Sequence, residues 1–422
     1  MSPMKYLSRA IALGLAIWLV SCGPPPTRIR SGTPDRQRIP AIRVGLVTGQ
    51  ATARAGGTGK FHVQDLATGE NISEDGRGKM WLAKAQGAWI DMVSPDGESA
   101  GLYSGPVRFQ PLEQGGRIWV AGQEYRGVVD IVPEAGQLNV VNEVDLENYL
   151  RGVVPVEIGR LKASQVAAVK AQAIAARTYA LANRGRRRSR GFDIYASVED
   201  QVYQGFGVET KLSDLAIAET HGLVGSYKGK MISPFYSSTC GGRTESIDEA
   251  WDSPAVAYLR SIKDEGRGGV FCEPSPVYRW VVEWQVPELE RILTTTLPSR
   301  GRQLNGPVAL RDLRIRKRSA SGRVKELEIK TQSATFNIRG DEVRRVLRRA
   351  GKGNPLLRST LFSLKIVKDR QGRPRKVIAN GGGFGHGIGL CQYGAIAMAS
   401  RGYRFDQILT HYYRGIKIRR LY

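Results

Sequence analysis

Short alternating runs of apolar and polar residues occupy residues 41–140, with glycine-rich turns between them. The clearest runs lie at residues 42–47, 117–120 and 127–132. Alternation with a period of two places successive side chains on opposite faces of a strand. Strands this short and this closely spaced predict a β-rich N-terminal lobe.

An alanine-rich segment at residues 165–183 lies at the centre of a second unit, which we place at residues 141–284. Eight of its residues are alanine, the residue with the highest helix propensity. The segment therefore predicts a helix whose small side chains let other backbone approach closely. Gln172 and Arg177 would project about 140° apart from this helix, so one narrow groove would not easily take both directly.

The C-terminal part of the chain mixes the two patterns. Residues 285–367 are predicted to form an inserted α+β segment, and residues 368–422 are predicted to complete the core. Helices are predicted here at residues 287–293, 340–350, 392–401 and 405–413, and strands around residues 313–315 and 327–329. The fold class predicted is α+β, with a β-rich N-terminal lobe and a mixed α/β lobe that carries the insertion.

Residues 1–22 have the features of a secretory signal peptide. Lys5 and Arg9 flank the start of an apolar run at residues 10–20, which is too short to cross a bilayer comfortably. The run leads to Cys22 in a pattern that resembles the bacterial lipobox, whose cysteine is acylated. The alternative is a short N-terminal anchor with an incidental cysteine. Because residues 23–40 predict a flexible tether, we expect an exported, membrane-anchored lipoprotein that faces the cell wall or periplasm.

The chain is strongly basic. Lys and Arg number 63 against 39 Asp and Glu, which gives a formal charge of +24. A charge of this size favours an anionic partner, such as nucleic acid, phospholipid headgroups or an acidic cell-wall polymer. Because export is predicted, we expect no nucleic-acid partner.

Three cysteines remain when Cys22 is set aside: Cys240, Cys272 and Cys391. A disulfide between Cys240 and Cys272 would stabilise the fold by roughly 3–4 kcal/mol in the chain-entropy model. The same two thiols would also make half of a zinc site, but neither belongs to a C-x-x-C motif. The spacing favours a disulfide or free thiols over a metal.

Glu157 is the strongest candidate for acid–base chemistry. It follows an apolar run at residues 152–156, and apolar surroundings raise the pKa of a carboxyl until it serves as a general acid near neutral pH. The alternative is an exposed glutamate at a helix start, stabilised by the helix dipole. Glu143, Asp145 and Glu147 alternate as on the outer face of a strand, and we expect them to be solvated.

An unbroken run of small residues at 237–242 predicts a loop that approaches a ligand closely. Ser238 and Thr239 would offer hydroxyl groups there. The alternative is an ordinary turn.

A second loop, at residues 380–394, is dense in glycine, which is typical of positive φ or close backbone contact. It places His386 just ahead of a predicted helix. A nucleophilic pair of His386 with Cys391 is conceivable, but a separation of five residues in sequence does not establish it.

Five ordered motifs give the chain a resemblance to the stage II sporulation protein D family, which includes amidase-enhancer proteins. These motifs lie at residues 153–157, 168–180, 201–205, 238–242 and 385–394. The resemblance extends back to residue 42, and it implies a peptidoglycan lytic transglycosylase that prefers glycan strands without stem peptides.

The resemblance also implies roles for particular residues. The catalytic acid of the family falls on Glu157, and its other functional positions fall on Gln172, Arg177, Tyr203, Cys240 and His386. We expect substrate contacts from Ser238, Thr239 and Gln392 as well. Some relatives bind zinc through a histidine shortly before the loop cysteine. Because Ser237 and Ser238 stand there, we expect no cofactor, and zinc is the less favoured alternative.

A single strong carboxyl candidate suits this chemistry. Ordinary glycosidases use two carboxylates, whereas in a lytic transglycosylase the C6 hydroxyl of muramic acid attacks intramolecularly. The expected partners are peptidoglycan glycan strands, a membrane through the N-terminal lipid, and a cell-wall amidase. The alternative function is a peptidoglycan-binding protein that recruits or enhances such an amidase and cuts nothing itself.

Overall fold

The computed structural model describes residues 38–422, except Asn305 and Pro307. The predicted signal peptide with Cys22 and nearly all of the predicted tether lie outside the described residues. Within the part of the chain that is described, no helix is long and apolar enough to cross a membrane.

The N-terminal lobe consists of strands, as predicted. They are β1 (Ala41–Gln50), β2 (Thr52–Gly57), β3 (Phe61–Asp65), β4 (Asn71–Asp75), β5 (Met80–Gln86), β6 (Trp89–Val93), β7 (Ser99–Tyr103), β8 (Val107–Pro111), β9 (Ile118–Val120), β10 (Gln123–Tyr125), β11 (Val128–Glu134) and β12 (Gln137–Asp145). Alternate side chains of β3 and β8 are buried, and the rings of Phe61 and Phe109 lie 6.1 Å apart. The period-two pattern therefore places one face of each strand in the core.

These strands form two sheets. β12 pairs antiparallel with both β1 and β11 in the first sheet, where Ile42 lies opposite Val144. That sheet has the order β13–β1–β12–β11–β8–β3–β4, in which β13 (Ile194–Tyr195) comes from beyond the lobe and joins it to the rest of the molecule. The second sheet has the order β10–β9–β2–β5–β6–β7.

The second unit is built around helices. Its elements are α1 (Leu146–Ile158), α2 (Val166–Ala182), β13 (Ile194–Tyr195), α3 (Lys211–Glu219), β14 (Leu223–Tyr227), β15 (Lys230–Met231), β16 (Tyr236–Ser237), α4 (Ile247–Ala250), β17 (Glu265–Gly266) and β18 (Gly269–Val270). The alanine-rich helix is confirmed as α2, which packs against α1 and α3 and against two C-terminal helices. Its small buried residues permit this crowding from several sides.

β12 runs directly into α1. Asp145 ends the strand and caps the helix, because its carboxylate accepts a hydrogen bond of 2.9 Å from the backbone N–H of Asn148. α1 ends at Ile158, and Gly159 follows with a φ of 82°. The sheet thus fixes where α1 begins, and α1 carries its last turn into the core.

The inserted segment has a hydrophobic core of its own, which extends from Trp280 to Ala379 and so beyond the predicted bounds of 285–367. Its elements are β19 (Trp280–Gln285), α5 (Val286–Thr296), β20 (Leu310–Arg318), β21 (Val324–Thr331), β22 (Thr335–Arg339), α6 (Glu342–Val346), β23 (Phe362–Lys368) and β24 (Pro374–Gly381).

α6 is shorter than the predicted helix over residues 340–350. The chain leaves helical geometry at Leu347, and Arg349 then donates a backbone hydrogen bond to the carbonyl of Pro355. Gly351 and Gly353 both have positive φ in the turn between them. The glycines therefore allow a turn to replace the end of the helix.

The C-terminal residues return to the first core. They form β25 (Leu390–Cys391), α7 (Gln392–Ser400), α8 (Phe405–Tyr412) and β26 (Lys417–Arg420). Both predicted C-terminal helices are confirmed. β25 pairs in parallel with β16, so that Tyr236 lies opposite Leu390 and Ser237 opposite Cys391. This short pairing brings the two loops with small residues side by side.

Gly152 lies inside α1 where alanine would normally stabilise a helix by about 1 kcal/mol. A Cβ at this position would lie 2.5 Å from Cε2 of Tyr203 and 2.9 Å from the carbonyl oxygen of Gly205. We therefore expect Gly152→Ala to lower the free energy of unfolding in urea by about 1–3 kcal/mol.

Gly207→Ala is the matched control, because a Cβ there would meet no atom within 4 Å. Equal stability of the two variants would contradict the close packing of α1 on Tyr203.

Candidate active site around Glu157

Glu157 lies in the last turn of α1 and its side chain is largely removed from water. Its Oε1 accepts a hydrogen bond of 2.9 Å from the backbone N–H of Val202. Burial raises the pKa of the Glu157 carboxyl, and hydrogen bonds from Val202 and the Gln392 side chain oppose that rise in part. The exposed helix-start alternative is wrong, because the carboxyl lies at the C-terminal end of a helix, where the dipole disfavours negative charge.

Two glutamines accompany the carboxyl. Gln172 comes from α2 and Gln392 is the first residue of α7; both are buried. Nε2 of Gln392 lies 3.5 Å from Oε1 of Gln172. Nε2 of Gln172 is buried and has no hydrogen-bond partner among the described residues. Because an unpaired buried amide is costly, this N–H group is a natural donor to a bound ligand.

Two tyrosines, the buried Tyr149 and the half-buried Tyr236, are joined through Gln201. Oε1 of Gln201 accepts from the hydroxyl of Tyr149 at 3.1 Å, and its Nε2 donates to the hydroxyl of Tyr236 at 2.8 Å. Burial first, and the charge of Glu157 second, raise the pKa of both tyrosines. Both hydroxyls therefore stay protonated. Sequence reasoning missed Tyr149, Gln201 and Tyr236, although Gln201 opens one of the five motifs.

The surroundings of the Glu157 carboxyl are polar but uncharged. No charged side chain among the described residues contributes to the shift in its pKa, which arises from burial and two hydrogen bonds. A second carboxylate would have raised that pKa further and a nearby cation would have lowered it. The arrangement therefore supplies one proton donor and several neutral hydrogen-bonding groups.

Arg177 lies elsewhere. It is fully buried, and its Nε and Nη2 donate to the two carboxylate oxygens of Glu147 at 2.7 and 2.8 Å. Nη1 donates to the carbonyl of Leu223. The position suits the bracing of structure, and the structure does not bring Arg177 to Glu157.

The expectation that Glu143, Asp145 and Glu147 are merely solvated is wrong. Glu147 pairs with Arg177, Asp145 caps α1, and Glu143 accepts from Arg108 at 3.1 Å. The partners of Glu143 and Glu147 come from segments 30 or more positions away, whereas Asp145 finds its partner within the first turn of α1.

Tyr203 is also buried, and its hydroxyl donates to Oδ1 of Asn142 at 2.8 Å. Its ring lies 5.0 Å from that of Tyr149. Tyr203 thus supports a tyrosine of the site and does not itself contact Glu157.

The loop at residues 237–242 lies against the start of α7. The carbonyl of Ser238 accepts from the backbone N–H of Tyr393 at 3.0 Å, and Oγ1 of Thr239 lies 2.7 Å from the hydroxyl of Ser275. The Thr239 hydroxyl is therefore engaged inside the protein. Ser238 is half-buried and lies closer to the surface.

His386 packs against aromatic rings, 5.2 Å from Trp251 and 6.3 Å from Phe235. Its Nδ1 accepts from the backbone N–H of Ile388 at 3.0 Å. Burial lowers the pKa of His386 to about 4, so the ring is neutral at physiological pH. Cys391 is hydrogen-bonded to Cys240 and Ser238 and not to His386, so the imagined nucleophilic pair is absent among the described residues.

A cavity of about 870 Å³ lies at the junction with the inserted segment, lined in part by Arg279, Trp280 and Arg318. Glu157 is not among its lining residues. Its volume and basic rim suit a ligand, but it is separate from the candidate acid, Glu157.

Comparison with known proteins adds to this geometry. A family model described as stage II sporulation protein matches residues 134–227, and one for a domain of unknown function matches residues 267–389. The stage II sporulation protein D of Bacillus amyloliquefaciens is 31% identical over 298 residues, which cover 66% of this chain and 75% of that protein. The chain belongs to the stage II sporulation protein D family.

Two further proteins are similar to this chain. The amidase enhancer of Bacillus subtilis (strain 168) is 28% identical over 349 residues, covering 75% of this chain and 47% of that protein. An uncharacterized protein of Brachyspira hyodysenteriae is 31% identical over 70% of this chain and 73% of its own. The match to the first family model includes Glu157, Gln172, Arg177 and Tyr203.

The Arg177–Glu147 ion pair yields a first test, which asks whether this pair stabilises the fold around α1. Arg177→Met leaves a mostly buried carboxylate without its partner, so we expect a loss of about 3–5 kcal/mol in the free energy of unfolding. Arg177→Met combined with Glu147→Gln should recover part of that loss, as urea denaturation will measure.

Arg373→Met provides the control, because the Arg373–Asp369 pair is exposed on its arginine side and such pairs contribute about 0–1 kcal/mol. A loss for Arg177→Met no larger than that of the control would show that the buried pair does not brace α1.

The raised pKa of Glu157 yields a second test. A carboxyl whose pKa is raised by folding stabilises the protein at low pH, and that contribution is lost as pH rises through the folded pKa. Wild type then carries a buried carboxylate, whereas glutamine carries none. We expect Glu157→Gln to have a higher Tm than wild type at pH 8, with the difference vanishing below the ordinary carboxyl value of 4.5.

The exposed Glu199 supplies the control: Glu199→Gln should show no such pH-dependent difference. A Glu157→Gln protein less stable than wild type at pH 8 would indicate an exposed or charge-paired carboxyl.

Proposed function

We propose that this protein is a peptidoglycan lytic transglycosylase in which Glu157 is the single general acid and base. The observation that supports this most directly is the carboxyl itself, which is half-buried, raised in pKa, and free of charged neighbours among the described residues. A carboxyl that keeps its proton toward neutral pH is what protonation of a glycosidic oxygen requires.

One carboxyl group is sufficient to complete the proposed reaction. Glu157 gives its proton to the bridging oxygen as the bond from that oxygen to the anomeric carbon breaks. The C6 hydroxyl oxygen of the same muramic acid bonds to the anomeric carbon, and its proton passes to Glu157, which is thereby restored. Because the nucleophile belongs to the substrate, no second carboxylate has to activate water.

The neighbours of Glu157 have supporting tasks in this proposal. The N–H of Val202 and the amide of Gln392 hold the carboxyl in place and stabilise its charge between the two proton transfers. The buried Nε2 of Gln172 donates to a sugar oxygen. Ser238 offers a half-exposed hydroxyl at the same end of α7. A preference for strands without stem peptides is part of the proposal.

The same proposal places the protein outside the cytoplasm. A lipid on Cys22 would hold it at a membrane, and its charge of +24 would favour the anionic polymers of the wall. The physiological process served is a separate matter, since a fold or family does not carry one role to every member.

A second candidate function has its own support. A relative named amidase enhancer aligns with 75% of this chain. Under this alternative the protein binds peptidoglycan and recruits or enhances a cell-wall amidase without cutting glycan.

Digestion of purified, peptide-stripped glycan strands separates the two. We expect wild type to release products with anhydro-muramic ends, which mass spectrometry identifies as lighter by one water than hydrolysed ends. Glu157→Gln should reduce the rate by about 10²–10⁴-fold, the usual contribution of acid–base catalysis. Glu199→Gln, an exposed change of the same chemistry, should retain the wild-type rate.

Equal rates for wild type and Glu157→Gln would contradict the assignment of Glu157. If wild type yields no anhydro ends but accelerates peptide release by an added amidase, the enhancer function is supported instead.

A further inference from the structure

Three buried thiols and a buried carboxyl meet outside the site around Glu157. Cys240 follows β16, Cys391 ends β25, and Asp264 and Cys272 flank the hairpin of β17 and β18. One ligand atom from each residue lies within 4.8 Å of all the others. We propose that these four residues, the thiol cluster, bind one zinc ion that organises the loops beside the active site.

The spacing of the cluster fits a tetrahedral ion. Sγ of Cys240 lies 3.6 Å from Sγ of Cys272 and 3.2 Å from Oδ2 of Asp264. Zn–S bonds of about 2.3 Å in a tetrahedron place sulfurs about 3.8 Å apart. The two sulfurs are therefore at ligand spacing, and they lie well beyond the bond length of about 2.05 Å in a disulfide.

The donor set selects the metal. Thiolates favour zinc, copper(I) and iron–sulfur clusters over magnesium and calcium. Three sulfurs with one carboxylate oxygen complete four-coordination, which is characteristic of a structural zinc site with no open position. All four residues are buried, so water has little access to a fifth position.

Surrounding hydrogen bonds orient the ligands. The hydroxyl of Tyr412 donates to Oδ1 of Asp264 at 2.6 Å, which leaves Oδ2 toward the thiols. The backbone N–H of Cys240 donates to Sγ of Cys391 at 3.1 Å. Outer contacts of this kind fix the orientation of metal ligands and tune their basicity.

A buried cation lies next to the cluster. Arg323, at the start of β21 in the inserted segment, is 2% exposed and donates through Nη2 to the carbonyl of Cys240 at 2.6 Å. Three thiolates and a carboxylate around Zn²⁺ carry two net negative charges, and a buried charge needs compensation. Arg323 offsets one of them, which gives a reason for an arginine in this buried position.

Sequence reasoning saw only half of this site. It considered Cys240 and Cys272, and found no histidine before the loop cysteine. The other two ligands come from residues 264 and 391, and the parallel pairing of Ser237 with Cys391 brings the last cysteine to the cluster. Because Gln392 follows Cys391 directly, an ion here would fix the glutamine that contacts Glu157.

Metal analysis tests the proposal without reference to activity. The full chain, purified under reducing conditions, should contain about one zinc per molecule, and Cys22→Ser should contain the same. Replacement of zinc by cobalt should give thiolate-to-cobalt charge-transfer absorption. Asp264→Asn and Cys272→Ser should lose the metal.

Tyr412→Phe is the finer probe, because it keeps the four ligands and removes only the hydrogen bond to Asp264. We expect zinc affinity, measured by competition with a chromophoric chelator, to fall about 10–100-fold. Tyr413→Phe is its matched control: that hydroxyl donates to the carbonyl of Phe235 at 2.8 Å, so zinc affinity should be unchanged.

Three results would each overturn the site. One is wild type with no more zinc than Cys272→Ser. Another is a wild-type mass two hydrogens lower with Cys240 and Cys272 linked in one peptide, which shows a disulfide. The last is three thiols that react equally fast before and after a chelator has been used to remove bound metal.

Discussion

The central constraint on this protein is the burial of one carboxyl with no charge nearby to neutralise it. Withdrawal of Glu157 from water disfavours its ionised form, and the proposed role as proton donor depends on that effect. The proposed chemistry of Glu157 and the free-energy cost of removing its carboxylate from water thus have the same physical origin. Proteins hold groups in such costly states where the surrounding structure over-determines their position, and much of the fold described here serves that purpose.

Two features of the backbone fix the position of the Glu157 carboxyl. β12 passes into α1 without a loop, so a strand in the middle of a sheet fixes the start of the helix that carries Glu157. The parallel pairing of β16 with β25 fixes the other partner, because it sets the first residue of α7, Gln392, beside the end of α1. Only four residues form that pairing, yet they join segments more than 150 positions apart in the chain.

Buried polar groups reinforce both connections, and they lie away from the carboxyl itself. The Arg177–Glu147 pair joins the first turn of α1 to α2. The thiol cluster holds the residue before Gln392, and Arg323 of the inserted segment contacts that cluster. These charged groups therefore lie in the supporting structure and not beside Glu157. A cation beside Glu157 would lower the pKa of its carboxyl, and the proposed chemistry needs that pKa to be high.

The class of fold was predictable from local pattern, whereas most candidate site residues came from the resemblance to the family. Period-two alternation predicted the β-rich lobe and alanine content predicted α2. An apolar run before a glutamate made Glu157 a candidate, with an exposed glutamate as the alternative. Local pattern was weaker where glycines redirect the chain, as at the short helix α6, because a turn there competes with helical propensity on nearly equal terms.

The sequence did not show which side chains contact one another. Glu147 was predicted to be solvated, because its arginine lies thirty positions away along the chain. The residues that flank Gln201, Asp264 and Tyr412 in the sequence do not indicate which groups these three side chains contact. Local sequence was sufficient to predict most strands and helices and to identify side chains with chemical capacity, since both depend on neighbours within a few residues. Which of those side chains meet became visible only in the folded protein, because hydrogen bonds and ion pairs act over a few ångströms, and local sequence does not encode which distant segments come that close.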